Sequence, residues 1–376
     1  MKLSRLQPAL GDGSEMDVER LAKRVVNESL QITKNDNVLI HCSKPTIDLA
    51  ESLALECQKV GARASIVLYT DRPYYDLVLE RPIDYLETPD PFILADVDVA
   101  TILIRLEGIE DPARLEKISP ERWAAARRGD APINERLSTR HQGATIRLAQ
   151  VTPQRAKMYG IDYEAWRENA YAAVDIDYGE MQRVGTRLRA AIERAEEIRI
   201  TNAAGADLSA QIEGGQIVID DGVLNRMDIR KGARFIEMPG GYVTVVPDMT
   251  SVNGTFAADT ATPFLAKLIG GISWKFDRGS VVSFEGKENI GLMRDRWSQA
   301  TAGKDKFGFI QFGLNLNARP GFLIDHIIRG SVTVGIGDNG LSGGVDESSI
   351  SYAVTSVAAT VRLDNKTIIN KGKMAL

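Results

Sequence analysis

The chain is poor in the side chains that usually announce chemistry. Three histidines, two cysteines and 6% aromatic residues are spread over 376 positions. Cys42 and Cys57 are too few for a disulfide framework or a thiolate metal cage, and their scarcity points to a reducing cytoplasm. His41, His141 and His326 stand apart, with no His-x-x-x-His or Glu-x-x-His pair, so no zinc-type cluster is written in the sequence. No apolar run approaches the roughly 20 residues needed to span a bilayer, which argues against a membrane partner. The opening "MKLSRLQPALGDGSEMD" lacks the continuous apolar segment of a signal peptide. There is no Gly-x-Ser-x-Gly elbow, Walker loop or dinucleotide glycine pattern.

Positive charge is also in short supply. The net charge is −5, and a nucleic-acid partner would need clustered Lys and Arg. The strongest basic bias, "ERWAAARRGDAPINERLSTR", is interrupted by Glu and Asp and reads as a solvated helix plus loop.

What is there is ordinary globular composition, 44% hydrophobic and 26% charged, over a length that suggests two domains. The first half alternates helical and strand patterns. "MDVERLAKRVVNESLQI" has helical spacing and "NVLIHC" is an apolar strand. "IDLAESLALECQKVG" is a helix with Gly61 as its C-cap, and "ARASIVLY", "VDVATILIRL" and "GATIRLAQV" supply further strands. Continuous apolar strands separated by helices indicate an α/β domain with a mainly parallel sheet, covered on both faces. From Asp162 to Ala195 the pattern is helical and bridges the halves. Beyond it come short strands with Gly- or Asn-rich turns, among them "QIVIDDG", "GYVTVVP", "SVVSFEGKEN" and "SVTVGIG". These indicate an antiparallel-rich β domain in which "ATPFLAKLIG" is a short helical exception. The expected division is 1–195 and 196–376.

Candidate reactive groups are few. His41 lies in an apolar strand and reads as a core histidine, while His141 lies among charges and reads as exposed. His326, in "FLIDHIIRG", follows Asp325; the two would point apart on a strand but could cooperate in a turn. Cys42 and Ser43 fall at a strand end, where Cys42 reads as a buried thiol. Asp248, Asp259, Glu285, Asp325, Asp338, Asp346 and Glu347 crowd the second half, and spacing alone selects no acid–base pair among them.

Three stretches taken together resemble the aminopeptidase T family of two-domain metallo-aminopeptidases. "YGIDYEAWRENAYAAVDIDYGEMQRVGTRLRAAIERAEEIRIT" is similar to its helical bridge. "MPGGYVTVVPDMTSVNGTFAAD" is similar to its Pro-x-Gly-Glu-Val-Phe-Thr-x-Pro segment. "IRGSVTVGIGDNGLSGGVDESSISYAVTSVAATVRLDNKTIINKGK" is similar to its closing block. The resemblance implies two metal ions held by carboxylates and histidines, a nearby tyrosine, and homodimers with the site in the domain cleft. Carried over, the ligand positions fall on Tyr242, Phe309, Thr333, Ser351 and Ala353, and the tyrosine falls nearest Gly340. The related 2,5-dihydroxypyridine ring-cleaving dioxygenases hold one iron through two histidines and an aspartate, which fall on or near Phe309, Ser351 and Ala353.

These side chains offer no charge and only weak hydroxyl donors, whereas a divalent cation needs several anionic or imidazole donors to offset its dehydration. The expectation is therefore no metal and no other cofactor at this position. A cage from His326, Asp338, Asp346 and Glu347 is the alternative. The leading expectation is a metal-independent hydrolase acting on a small amide or cyclic, N-heterocyclic molecule. Tyr242, Phe309, Thr333 and Ser351 would bind it, with His326 and Asp338 as catalytic candidates. A non-catalytic small-molecule-binding relative, or a metallo-aminopeptidase with relocated ligands, stands beside it.

Overall fold

The computed structural model describes residues 17–376 apart from 231, 265, 266, 343 and 345–347. The N-terminal stretch read for a signal peptide lies almost wholly outside the described residues, as do Asp346 and Glu347. The strands run β1 (Asn37–Cys42), β2 (Arg63–Leu68), β3 (Ile102–Leu106), β4 (Gln142–Ile146), β5 (Glu197–Thr201), β6 (Asp207–Gln211) and β7 (Gln216–Asp220). They continue as β8 (Phe235–Met238), β9 (Tyr242–Val246), β10 (Asn253–Ala257), β11 (Thr262–Phe264), β12 (Lys267–Ile269), β13 (Ser273–Asp277) and β14 (Ser280–Glu285). The last six are β15 (Phe307–Gly313), β16 (Val332–Gly337), β17 (Ser351–Ser356), β18 (Thr360–Leu363), β19 (Lys366–Asn370) and β20 (Lys373–Met374).

The first sheet has the order β2-β1-β3-β4-β8, and every pairing in it is parallel. The parallel N-terminal sheet and the antiparallel-rich second half agree with the fold class expected from the strand and helix patterns. The fifth strand, β8, comes from beyond residue 195 and pairs with β4 from Gly143↔Phe235 to Ile146↔Met238. An eight-stranded sheet, β14-β13-β10-β6-β5-β18-β19-β20, and a five-stranded sheet, β17-β16-β15-β9-β7, complete the β-rich half.

The bridging segment is two helices, Tyr163–Val174 and Tyr178–Ile192, the second N-capped by Asp177, which accepts from the Glu180 amide. Met181, Val184, Leu188 and Ile192 recur at helical spacing and are buried. They belong to one hydrophobic cluster that also contains Ile40 and Ile104 of the first sheet and Val243 and Val334 of the five-stranded sheet. Gly185 lets this helix close on Leu314, Ile219 and Val243: a Cβ there would stand 3.1 Å from Leu314 and 3.3 Å from Ile219.

Three local expectations are corrected. "ATPFLAKLIG" is no helix; its strands β11 and β12 pair antiparallel, Thr262↔Ile269 and Phe264↔Lys267. So short an apolar run has no helical period to settle it, and tertiary packing of Phe264 edge-on to Tyr352 at 5.5 Å favours the strand. "ERWAAARRGDAPINERLSTR" forms one continuous helix, Pro120–Arg140, with Pro132 inside it. Its arginines do not simply face water: Arg122 donates to the Val78 carbonyl at 2.6 Å, and Arg128 and Arg136 pair with Glu87 and Asp98. His141 is 1% exposed, its ring nitrogens facing the carbonyls of Arg136 at 3.0 Å and Val97 at 2.7 Å. The charges beside it in sequence concealed that fit.

The tightest polar knot is Asn315, which is fully buried. Its amide group donates to the carbonyls of Ala173 at 2.9 Å and Gly240 at 3.0 Å. Its oxygen accepts from the amides of Asn317 at 3.0 Å and Ala318 at 3.1 Å. Asn315→Ala removes the partner of four backbone groups, three of them in buried bonds, and we expect it to lower the free energy of unfolding by roughly 3–5 kcal/mol. Urea unfolding followed by circular dichroism checks this; a loss below about 1 kcal/mol would show that the knot is dispensable.

Candidate active site

Directly paired residues of antiparallel strands share a face of the sheet, and the register of the five-stranded sheet decides which side chains meet. Across it run the rows Asp220↔Tyr242↔Gly313, Thr244↔Gln311↔Thr333↔Thr355, Phe309↔Gly335↔Ala353 and Gly337↔Ser351. All five residues carried over from the ligand pattern, Tyr242, Phe309, Thr333, Ser351 and Ala353, therefore stand on one face. Phe309↔Gly335 keeps the register of Gln311↔Thr333, so strand alternation alone puts Phe309 on this face. The irregularity between Phe307 and Phe309 displaces only Phe307, which pairs with Ile336. The opposite face carries Val243, Val245, Ile310, Val334 and Val354 into the core.

Phe309, Thr333, Gln311 and Tyr242 are each engaged by what lies beside them. The Phe309 ring lies over Gly335; a Cβ at that glycine would stand 2.3 Å from the ring. Only a residue without a side chain can sit beneath it. Thr333 is buried and shares a 2.8 Å hydrogen bond with Thr355. Ser351 is exposed at the start of β17. Gln311 donates to the His326 carbonyl at 3.2 Å, holding the 3₁₀ turn Asp325–Ile327 over the sheet. Tyr242 packs against the small cluster of Ala173, Ala318 and Ile327, as do Ile324 and Ile328.

Two acidic residues missed in the sequence follow one another here, Asp220 beside Tyr242 and Asp221 next to it in the chain. Asp220 ends β7, is 7% exposed, and accepts from the amides of Gly222 at 3.1 Å and Glu237 at 2.9 Å. Burial raises its carboxyl to about 7 against the pull of those two amides. Asp221 is raised to about 6, again chiefly by burial. Burial, then the neighbouring Asp220 and Glu237 charges, pushes the Tyr242 phenol well up. Glu237 in turn is paired with Arg147, one arm at 2.9 Å. Arg147 follows β4 directly, at the C-terminal edge of the parallel sheet, where open α/β sheets place their functional groups. The signals available in sequence were the doubled Asp closing "QIVIDDG" and an arginine at a parallel strand's end.

His326 and Asp338 are placed differently. Burial, then Arg147, lowers the His326 imidazole to about 4, so it is neutral near pH 7. Asp325 accepts from the Gly321 amide at 2.9 Å rather than facing that ring. Asp338 is half-buried in the turn after β16, where its carboxylate accepts from the Gly340 amide at 3.3 Å. The structure does not join His326 and Asp338 into a pair. His41 is buried edge-on to Tyr69 at 4.9 Å. Cys42 is buried with its thiol pushed up, and Ser43 exchanges hydrogen bonds with the Gly108 backbone.

A model of the thermophilic metalloprotease (M29) family matches residues 14–297. The chain belongs to that family. The matched stretch ends before β15, β16 and β17, the strands that carry Phe309, Thr333 and Ser351. Wild-type AmpT from Thermus thermophilus superposes with a TM-score of 0.72 at 16% identity, covering 96% of this chain and 99% of that one. The 2,5-dihydroxypyridine dioxygenase from Pseudomonas putida KT2440 superposes with a TM-score of 0.62 at 14% identity, covering 95% and 96%. At such identities these neighbours share the fold. No curated protein matches the chain.

The family's name implies a metal, and the residues at the carried-over positions do not fit one. A phenol, a benzyl ring, two hydroxyls and a methyl group cannot replace the water shell of a divalent ion. Among the described residues no group of three or more His, Cys, Asp or Glu is arranged to hold an ion elsewhere. Elemental analysis of the protein after incubation with excess zinc, cobalt or manganese and desalting is expected to find metal well below one ion per chain. A stoichiometric ion would sink this reading of the donor set.

Asp220 and His326 also act oppositely on stability. Asp220 binds its proton more readily folded than unfolded, so its contribution is largest below 3.8 and is lost as pH rises from there through about 7. His326 binds its proton less readily folded, so its contribution is complete above 6.5 and is lost as pH falls through about 4. Asp220→Asn should therefore make the urea midpoint drop more steeply on acidification between these limits, and His326→Gln should make it drop less. Parallel pH profiles for parent and both variants would contradict the assignment.

Proposed function

We propose that this M29 family member is a metal-independent hydrolase acting on a small amide or a cyclic, N-heterocyclic molecule. The observation that carries the reading is the facing of Asp220 and Tyr242, at a position the family resemblance assigns to a metal-binding glutamate. A carboxyl that titrates near 7 can serve as a base in one step and an acid in the next. In the proposed reaction the Asp220 carboxylate takes a proton from water as its oxygen bonds to the substrate's carbonyl carbon. The Tyr242 hydroxyl donates to the oxyanion that forms. Protonated Asp220 then passes its proton to the departing nitrogen as the C–N bond breaks. Phe309 offers an apolar surface for a ring, Ser351 and Thr333 the hydroxyl edge, and the Arg147–Glu237 pair the polar mouth. His326 and Asp338 take positioning roles in this scheme, through Gln311 and the turn after β16.

The packing of the Phe309 ring on Gly335 and the closed Thr333–Thr355 pair favour a second reading, a non-catalytic relative that binds a small molecule on this scaffold. A metallo-aminopeptidase with relocated ligands would require the ion that elemental analysis seeks. Further parts of the proposal are a homodimer, by family resemblance, and a reducing cytoplasm, in keeping with the free, buried Cys42 and Cys57. No helix among the described residues is long and apolar enough to cross a membrane.

A panel of small amides, lactams and N-heterocycles tests the proposal by product formation in the presence of a chelator. Asp220→Asn is expected to lower kcat about 10²–10⁴-fold, and Tyr242→Phe about 10²–10³-fold, with unchanged far-ultraviolet circular dichroism. Ligand-induced thermal stabilisation without turnover of any compound would transfer the case to the binding reading.

A further inference from the structure

The parallel sheet ends at β2, which pairs in unbroken register with β1 from Asn37↔Arg63 to Cys42↔Leu68. Among the described residues no strand meets its other edge. The Arg63 amide donates to the Asp36 carbonyl at 3.1 Å and the Tyr69 amide to the Cys42 carbonyl at 2.8 Å, both on the β1 side. Main-chain groups of a strand alternate between its two flanks, so Ala64, Ile66 and Leu68 turn theirs to the outer edge. β2 has no lysine, proline, acid or bulge, the features that guard an edge against pairing.

The side chains along this edge are apolar and uncovered. Ile66 and Leu68 share their face with Ile40 and Cys42, on the side of the helix Ile47–Lys59, yet they are 38% and 49% exposed. On that helix Ile47 and Leu55 are 38% and 59% exposed. Ile47 stands half-way round the helix from Glu56, and Glu56 faces the first helical segment, accepting from Asn27 at 2.9 Å. The Ile47 flank is therefore the one turned away from that segment. Beyond β2 the chain crosses away from the edge, because the Asp71 carboxylate accepts from the Glu110 and Asp111 amides that follow β3. The backbone on either side of the strand, residues 59–73, is described throughout.

This edge is complementary to itself. A two-fold axis at Ile66 sets Ile66 opposite its own copy and Ala64 opposite Leu68, antiparallel, and these outward-facing residues then exchange both main-chain bonds. Opposed residues share a face, so the apolar side chains meet on the helix side. On the other face Ser65 meets Val67, and Arg63 meets Tyr69, whose ring lies on the His41 side of the sheet. Arg63 is exposed and has no ion-pair partner among the described residues, and an aromatic ring is a favourable seat for its guanidinium. The same axis keeps the two Arg63 residues roughly 20 Å apart, whereas an axis at Ala64 would bring them within about 7 Å. The one charge on the strand thus selects the register.

We propose that two copies of this chain associate through β2, antiparallel about Ile66, joining their five-stranded parallel sheets edge to edge. Such a pairing is closed, since it consumes both free edges. It rests on the homodimer named in the proposed function and supplies the surface that the family resemblance leaves open; it is independent of the hydrolase reading.

Sedimentation velocity over a hundred-fold range of concentration tests it. The variants are Ile66→Lys, Ile66→Cys and, at an exposed apolar position of the eight-stranded sheet, Val282→Lys and Val282→Cys. The parent should dimerise, Ile66→Lys should weaken association by roughly ten-fold or more, and Val282→Lys should leave it unchanged. Far-ultraviolet circular dichroism of every variant should match the parent. On mild oxidation Ile66→Cys should cross-link to its copy, because opposed Cα atoms of a hydrogen-bonded pair lie about 5.5 Å apart, within disulfide reach. Val282→Cys should not cross-link. A dimer that survives Ile66→Lys, or an Ile66→Cys variant that cross-links no better than Val282→Cys, overturns the β2 surface and leaves the homodimer standing. A parent that stays monomeric at every concentration overturns both.

Discussion

A single carboxamide sets the geometry on which the rest of this protein rests. Asn315 leaves the end of β15 and ties three separate parts of the chain: the end of the Tyr163–Val174 helix through Ala173, the loop before β9 through Gly240, and its own following turn through Asn317 and Ala318. Its backbone amide also donates to the Ile327 carbonyl at 2.8 Å. The segment that covers Tyr242 is thereby hung from the same residue that fixes where Tyr242 enters its strand. A buried amide with every donor and acceptor engaged is strongly directional, and an apolar side chain of similar volume could not impose these angles.

Beneath that roof, the shape of the sheet is set by its backbone pairing. The register that brings five positions to one face is a property of backbone pairing and does not depend on the charges of those positions. A neutral polar group on a buried face leaves a desolvation cost only where it finds no partner. Here Thr333 pairs with Thr355, Gln311 donates to the His326 carbonyl, and a ring lies on Gly335. Charge stands beside this face, at Asp220 on the neighbouring strand β7 and at Glu237 and Arg147 of the parallel sheet.

Much of the fold was legible because parallel and antiparallel sheets write different patterns. "NVLIHC" and "TILIRL" are nearly continuous apolar runs, as strands buried on both faces must be. The short strands of the second half come with Gly and Asn turns. "ATPFLAKLIG" defeated the reading because its partner contact, the Tyr352 ring, lies far off in sequence. His141 misled for the same reason, since the carbonyl it meets belongs to Val97. Of the candidate site, the carried-over positions share one face of the sheet, whereas Asp220 was not read from the sequence. Its perturbed carboxyl arises from burial between β7 and the loop before β9, and nothing local distinguishes it from the solvated aspartates nearby.

The return of β8 to the first sheet bears on how the chain emerges from the ribosome. Until Phe235–Met238 has been made, β4 has one bare flank, although the three strands before it can already zip together through their intervening helices. The amino-terminal sheet is thus completed only after β5, β6 and β7 exist, which interleaves the assembly of the two halves and lengthens the sequence separation of their contacts. A fragment cut at the bridging helix would carry that bare parallel flank permanently, a surface prone to sticking to its own kind.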